Sequence, residues 1–369
     1  MTSDVVAGGG LAGAAAATLM AHGGLRPLLL ERTTGAHDKI CGDFVSTEAV
    51  AHLAALGFDT GALGGHRIDR VRLVDGGRMA EARLPFIATG LTRRRLDTAL
   101  LDHAAASGVK VTRGVTVRRA NGTALTTTAG DLTPLRLLLA TGKTDVRGVR
   151  RDTIGTLDHL IGFKQYYRVP QATLTLLDGV IELVLFDGGY AGVQRVEGDQ
   201  VNLCLLVSKK RLAVSGGDVF AEVLGEPRIV QLLGQATPLL ARPLTISGVP
   251  YGFVHDGGVS DEDAAYRLGD QVGVIPSFTG DGMAIALHSA RLAARAILAG
   301  VGATAYHAAF RRDCATQIGR ATALQHGGER SAGRRLLVAS VGVLPGLLRW
   351  AAALTRVPPT ALRQAGLII

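Results

Sequence analysis

Hydrophobic and polar positions alternate in two different ways along this chain, and the change from one to the other divides it. At the start a short apolar strand, Val5-Val6-Ala7, runs into Gly8-Gly9-Gly10-Leu11-Ala12-Gly13 and then into a helix of small residues from Ala14. A second apolar strand, residues 27–30, ends on Glu31. Residues 46–56 carry apolar side chains at Val50, Leu53 and Leu56, a helical spacing. Residues 67–84 alternate on either side of a Gly76-Gly77 turn, which predicts two strands. Residues 92–107 predict another helix, stopped by Gly108, with a strand beginning Val109-Lys110-Val111. Residues 135–140 are continuously apolar, the pattern of a strand buried on both faces of a parallel sheet.

From about Ile161 the period becomes two. Residues 163–169, 180–186 and 201–207 read as strands separated by Asp178-Gly179, Gly188-Gly189 and Gly198-Asp199 turns, which predicts an antiparallel sheet. Residues 218–240 read as helical. Gly282 opens a long helix of small residues to about Ala299, and further helices are expected over 303–326 and 334–354, the last interrupted by Pro345-Gly346. The fold class is therefore α/β: a Rossmann-like domain of residues 1–66, 85–155 and 245–300, an inserted antiparallel-sheet substrate domain of 67–84 and 156–244, and a C-terminal helical segment over 301–369.

The first segment also carries chemistry. In Gly-x-Gly-x-x-Gly, Gly8 permits the strand-to-helix turn, Gly10 lets the backbone approach a pyrophosphate, and Gly13 lets the helix pack on the sheet. The helix N-terminus aims free N–H groups at the phosphates. Glu31, eighteen residues past Gly13, is placed to accept hydrogen bonds from a ribose, beside Arg32.

Composition narrows the class. A chain of 369 residues, 47% hydrophobic and 19% charged, buries a large core. Three well-separated cysteines, Cys41, Cys204 and Cys314, suggest neither a metal site nor a disulfide framework and point to a reducing, cytoplasmic setting. The net charge of +9 is concentrated from Arg311 onward, where nine arginines face two acids, a local +7. No nucleic-acid module accompanies it. The basic, partly apolar C-terminus favours instead a peripheral contact with an anionic membrane surface. Residues 336–354 are interrupted by Gly342, Pro345, Gly346 and Arg349, a poor span.

Four separated motifs then agree. The glycine signature, Lys39-x-Cys41-Gly42, Arg93-x-x-Leu96-Asp97, and Gly269-Asp270 followed by Pro276-x-x-x-Gly280-Asp281-Gly282 together resemble FAD-dependent oxidoreductases of the p-hydroxybenzoate hydroxylase and geranylgeranyl reductase type. The resemblance covers roughly residues 4–300. It implies a GR2-type FAD-binding domain. Gly8, Gly10 and Gly13 would hold the FAD pyrophosphate, with Arg93 reaching it, and Glu31 the adenosine ribose. Asp270 would accept from the ribityl hydroxyls. The loop from Pro276 through Gly280, Asp281 and Gly282 to Met283 would pass beside the isoalloxazine, and Lys39 would contact the cofactor or solvent.

The resemblance implies a monooxygenase-like reaction on a lipophilic or aromatic small molecule, or else reduction of prenyl double bonds. Electrons would come from transient NAD(P)H or a redox partner, since no second Rossmann unit is present. Two positions depart from the family pattern: Thr141 stands where hydroxylases carry Asp, and Gly192 where prenyl reductases carry Trp. Cys41 and Tyr190 are the candidate catalytic side chains. For Cys41 a role beside the flavin and a small packed residue at a Gly turn both stand. Tyr190 either lines the substrate cavity or packs in the sheet, with Tyr166, Tyr167 and Gln194 as weaker candidates. His288 reads as a packed histidine.

Overall fold

The computed structural model describes residues 3–257, 265–328, 333, 339, 346 and 352–367. In chain order the strands are β1 (Val5–Ala7), β2 (Leu28–Glu31), β3 (Phe44–Val45), β4 (His66–Asp75), β5 (Arg78–Gly90), β6 (Lys110–Arg113), β7 (Val117–Asn121), β8 (Ala124–Thr127), β9 (Gly130–Leu132), β10 (Leu137–Leu139), β11 (Leu160–Arg168), β12 (Gly179–Phe186), β13 (Gly189–Arg195), β14 (Gln200–Ser208), β15 (Thr237–Pro238), β16 (Leu244–Ser247) and β17 (Ala265–Arg267). The helices are α1 (Leu11–His22), α2 (Thr47–Ala54), α3 (Arg93–Ala106), α4 (Gln171–Leu176), α5 (Lys209–Val214), α6 (Val219–Leu224), α7 (Pro227–Leu233), α8 (Gly282–Leu298), α9 (Ala303–Gly328) and α10 (Pro359–Gln364).

The all-apolar strands form a parallel sheet in the order β17-β10-β1-β2-β6. Its central strands are apolar and buried because both faces are covered. On one face Ala14–Ala17 of α1 pack with Ala290, Ala293 and Ala294 of α8, where small side chains allow close approach. On the other lies a small sheet, β7-β8-β9, whose Ala120 and Leu125 cover Leu137 and Leu139.

The second sheet follows β15-β11-β14-β13-β12-β4-β5-β3, with β16 also on β11. It is antiparallel except that β4 and β12 run parallel, because β4 reaches it from the dinucleotide side. One face is covered by α4, α6 and α7 through Leu174, Val219, Val223, Ile229 and Leu232. The opposite face turns toward the parallel sheet and the site.

Residues 218–240 are not one helix. Gly225 closes α6, and Pro227 starts α7 at the position where a missing N–H costs nothing. Thr237 and Pro238 then pair with β11 as a short edge strand. Most of the expected helix over 334–354 lies outside the described residues. Among those described, no helix is long and apolar enough to cross a membrane.

Candidate active site

The glycine turn is sterically committed. Gly8 has φ +115°, and a Cβ there would lie 2.3 Å from Ala140 O. A Cβ on Gly13 would lie 1.9 Å from Gly8 O, so the α1 backbone rests directly on the turn. Gly10 differs: a Cβ there would meet only Lys39 Nζ at 3.4 Å and Arg93 Nη2 at 3.6 Å. Two cations therefore stand over the uncapped N-terminus of α1. Both are held by Asp97, which accepts from Lys39 Nζ at 2.6 Å and from Arg93 Nε and Nη2 at 2.8 and 2.9 Å. Burial opposes the Arg93 charge, but Asp97 and the Cys41 thiol beside it more than offset that and raise its pKa. One carboxylate between two cations leaves positive charge facing the turn, a cradle suited to a diphosphate.

Glu31 ends β2 beside this cradle. It accepts from Gly9 N at 2.8 Å, Thr33 N at 2.9 Å and Thr33 Oγ1 at 2.8 Å. Burial raises its pKa, but the Thr33 bonds, Lys39 and Gly9 outweigh burial and hold it below the ordinary value. It is an ionised acceptor. Arg32, by contrast, points to the exposed rim, with Thr144 Oγ1 at 3.4 Å. Asp270 lies across the cavity, paired with Lys143 Nζ at 3.2 Å. Arg151 fixes this region, donating to Asp270 O, Lys143 O and Asp145.

The Lys39–Asp43 loop is latched to the second sheet. Asp43 is the one non-glycine residue with positive φ (55°) among the described residues, and it is fully buried. Its Oδ2 accepts from Lys164 Nζ at 2.6 Å and from the Tyr166 hydroxyl at 2.6 Å. Lys164 also donates to Lys39 O at 3.0 Å, Gln194 Nε2 to Asp43 O at 2.9 Å, and Asn202 Nδ2 to Gly42 O at 2.8 Å. Burial raises the Asp43 pKa, and the pull of Lys164, Tyr166 and Arg93 in the other direction does not cancel it. Burial and Asp43 both raise the Tyr166 pKa.

A third cluster sits where the Pro276–Gly282 loop enters α8. Gly280 is left-handed (φ 72°), and a Cβ there would press on the Phe44 ring at 2.5 Å. Asp281 is buried, and its Oδ1 accepts from Arg356 Nη1 at 2.8 Å. The same nitrogen donates to Glu48 Oε2 at 2.8 Å, and the guanidinium lies 3.6 Å from the centre of the Phe86 ring. Burial pushes the Asp281 carboxyl up to about 7, with Arg356 opposing and Glu48 reinforcing the shift. No side chain caps α8, so the N–H groups of its first turn are free toward the cavity, where Gly282 and Met283 form the wall.

These parts line one cavity of about 1010 Å³ that runs from the glycine turn to the inner face of the second sheet. Strand register divides that face. Residues directly opposite one another point the same way. One row, Gln194, Asn202 and Tyr166, is polar and serves the latch, with Lys164 beside it. Beyond an intervening row of Leu183, Gly192, Cys204 and Lys164, the row Leu185, Tyr190, Leu206, Gly162 and Ile246 is apolar or small and lines the cavity. Cys41 and Cys204 also line it. Burial pushes the Cys204 thiol up to about 12 and raises the Tyr190 hydroxyl well above its usual value, so both are neutral walls.

No family model and no curated protein matches the chain. Solved structures do. The flavin-dependent brominase Bmp2 superposes with a TM-score of 0.79 at 16% identity, over 96% of this chain and 93% of that one. A flavoprotein/dehydrogenase from Cytophaga hutchinsonii gives 0.78 at 16% identity, over 96% and 92%. PqsL, a probable FAD-dependent monooxygenase from Pseudomonas aeruginosa, gives 0.69 at 16% identity, over 92% and 99%. The chain has the fold of these flavin enzymes.

The structure thus brings Gly8, Gly10, Glu31, Arg32, Lys39, Cys41, Arg93, Tyr190, Asp270, Gly280, Gly282 and Met283 to one cavity, with Gly13 packed behind the turn against Gly8 O, Asp281 buried directly behind the wall and Pro276 anchoring the loop through Thr279 Oγ1. Tyr167 lies on the opposite, helix-covered face of the sheet. His288 is buried away from the cavity, 3.0 Å from Asp313 Oδ2 and edge-on to His52. Asp43, Lys164, Asn202, Arg356 and Lys143 are absent from the sequence reading. A lone lysine within the apolar stretch 160–169 is the signal that could have pointed to the latch.

Proposed function

We propose that the chain is an FAD-dependent oxidoreductase of monooxygenase type, acting on a lipophilic or aromatic small molecule. The observation that carries this reading is the continuity of the cavity, from a cationic glycine turn at one end to an apolar sheet face at the other. Ile181, Leu183 and Leu185 are half-buried on that face while their strand neighbours are fully buried, so apolar surface is left uncovered inside the protein. PqsL, which shares the fold, has been solved with 2-aminobenzoylacetate.

FAD, when bound, would supply the two-electron and oxygen chemistry. Gly8, Gly10 and Gly13 would hold its diphosphate with Lys39 and Arg93, Glu31 its ribose, and Asp270 its ribityl chain. The free N–H groups at the start of α8 would favour negative charge on the flavin ring. The apolar face would exclude water and orient the substrate, with Tyr190 against it and Cys41 between Arg93 and the cavity. Electrons would come from NAD(P)H bound transiently or from a redox partner. The basic C-terminus would allow contact with anionic membranes, which co-sedimentation with anionic vesicles tests. Prenyl-bond reduction draws no specific support from the structural neighbours.

The test is direct. Purified protein reconstituted with FAD should turn yellow, and lipophilic phenols should accelerate NAD(P)H-dependent or reductase-coupled oxygen consumption. Protein that takes up no flavin, or turnover indifferent to every lipophilic substrate, sinks the reading. Cys41→Ala and Tyr190→Phe variants should retain flavin and lose turnover.

A further inference from the structure

Charge is distributed unequally between the two ends of the cavity. Arg32, Lys39 and Arg93 line the glycine-turn end, and Lys143 lies across the cavity from it with its charge paired to Asp270 at 3.2 Å. At the sheet end, among the described residues, the lining cation is Arg356. Its Nη1 is already shared between Glu48 and Asp281, and its flat face is covered by Phe86. Two carboxylates on one guanidinium leave no positive charge for a ligand's anion. The strands of that end present Val71, Leu73, Leu84, Leu183 and Leu185. A carboxylate or sulfonate placed there would lose its water and gain no partner in exchange.

Gly192 shapes the same end. It is paired with Leu183 on one side and Cys204 on the other, so a side chain at 192 would project from the cavity face beside theirs. An added Cβ would meet only Cys204 O and Leu183 Cδ2, each at 3.6 Å, an ordinary contact. Its φ lies outside the left-handed region, so backbone strain does not account for the glycine. Its effect is to leave a slot in the wall between Tyr190 and Gln194.

We propose that the sheet end of the cavity selects an uncharged, lipophilic ligand, and that Gly192 is the specificity-determining position that gives it room. The proposal rests on the reading of this end as the substrate site. Its test uses two fluorescent probes with one ring system: neutral N-phenyl-1-naphthylamine, and 8-anilino-1-naphthalenesulfonate, which adds an anion. Titrated into the FAD-loaded protein, the neutral probe should bind at least roughly tenfold more tightly. Gly192→Leu should weaken it by roughly tenfold or more, while Gly192→Ala leaves it within about threefold and both keep their flavin absorbance. Leu183→Lys, which puts an unpaired cation on the wall, should bring the sulfonate probe up to parity. Equal or tighter binding of the sulfonate by the unaltered protein overturns the proposal. So does a folded Gly192→Leu protein that binds the neutral probe unchanged, or a Leu183→Lys protein with no gain. Protein that never takes up FAD would count against the oxidoreductase reading alone, because the same titrations on that protein still decide this one.

Discussion

Replacing Lys164 with Met tests whether the latch on the Lys39–Asp43 loop matters energetically. Both partners are fully buried, with Nζ and Oδ2 2.6 Å apart. At an effective dielectric of about 20 the attraction is roughly 6 kcal/mol, a gross figure that desolvation of the two ions largely offsets. Lys164→Met removes the cation but leaves the Asp43 carboxylate sealed in, with Tyr166 as its remaining strong donor. The expected loss is about 3–5 kcal/mol, the range for stripping one partner from a buried pair. Urea unfolding followed by circular dichroism measures it.

The pH dependence of that loss is a second readout. The folded-state pKa of Asp43 already lies above its ordinary value. The native protein therefore holds this proton more tightly than the unfolded chain, and the group's contribution to stability falls as pH rises through the interval between the two pKa values. Losing Lys164 widens that interval, so the variant should suffer most at neutral pH and least in acid. Adding Asp43→Asn, whose side chain tolerates positive φ, should restore a substantial part of the loss. A Lys164→Met cost below about 1 kcal/mol, or one indifferent to pH and to Asp43→Asn, would refute the reasoning.

Gly13→Ala should abolish flavin uptake and destabilise the fold, because its Cβ would lie 1.9 Å from Gly8 O; absorbance after FAD reconstitution checks it. Arg93→Lys should weaken FAD binding by roughly tenfold, since a lysine cannot reproduce the forked contact with Asp97; flavin fluorescence quenching reports this, and unchanged affinity would remove Arg93 from the cradle. Asp281, raised from 3.8 to about 7, binds its proton more tightly when folded, so its contribution to stability declines between about pH 4 and 7. Asp281→Asn should flatten that part of the melting-temperature profile, and an unaltered slope would contradict the assignment. Arg356→Gln leaves Glu48 and Asp281 facing each other without a cation, and should cost more stability at pH 8 than at pH 5.

What the sequence made legible was local. The glycine turn, Glu31 at the end of its strand and the Arg93 helix start are written in spacings of a few residues, and Gly8, Gly10, Glu31 and Arg93 line one cavity. The latch was not legible, because Asp43 and Lys164 are 121 residues apart and meet only through the register of β11 on β14 and the docking of a loop. Gln194 and Tyr166 were visible as polar residues on a strand, but which face they occupied depended on that same register. Arg356 was hidden for a similar reason: it is 75 residues from Asp281 and 308 from Glu48. The break at Gly225–Pro227 was written locally, yet apolar residues on either side obscured it.

Those separations also set an order of events during synthesis. The glycine turn, α1 and the arginine of α3 emerge within the first hundred or so residues, while β17 and Asp270 follow much later. Glu48 and Asp281, behind the cavity wall, lack their shared cation until Arg356 has left the ribosome and folded back onto Phe86. A nascent chain therefore carries Lys39, Arg93 and Asp97, the charges of the glycine turn, long before the cation that Glu48 and Asp281 share exists.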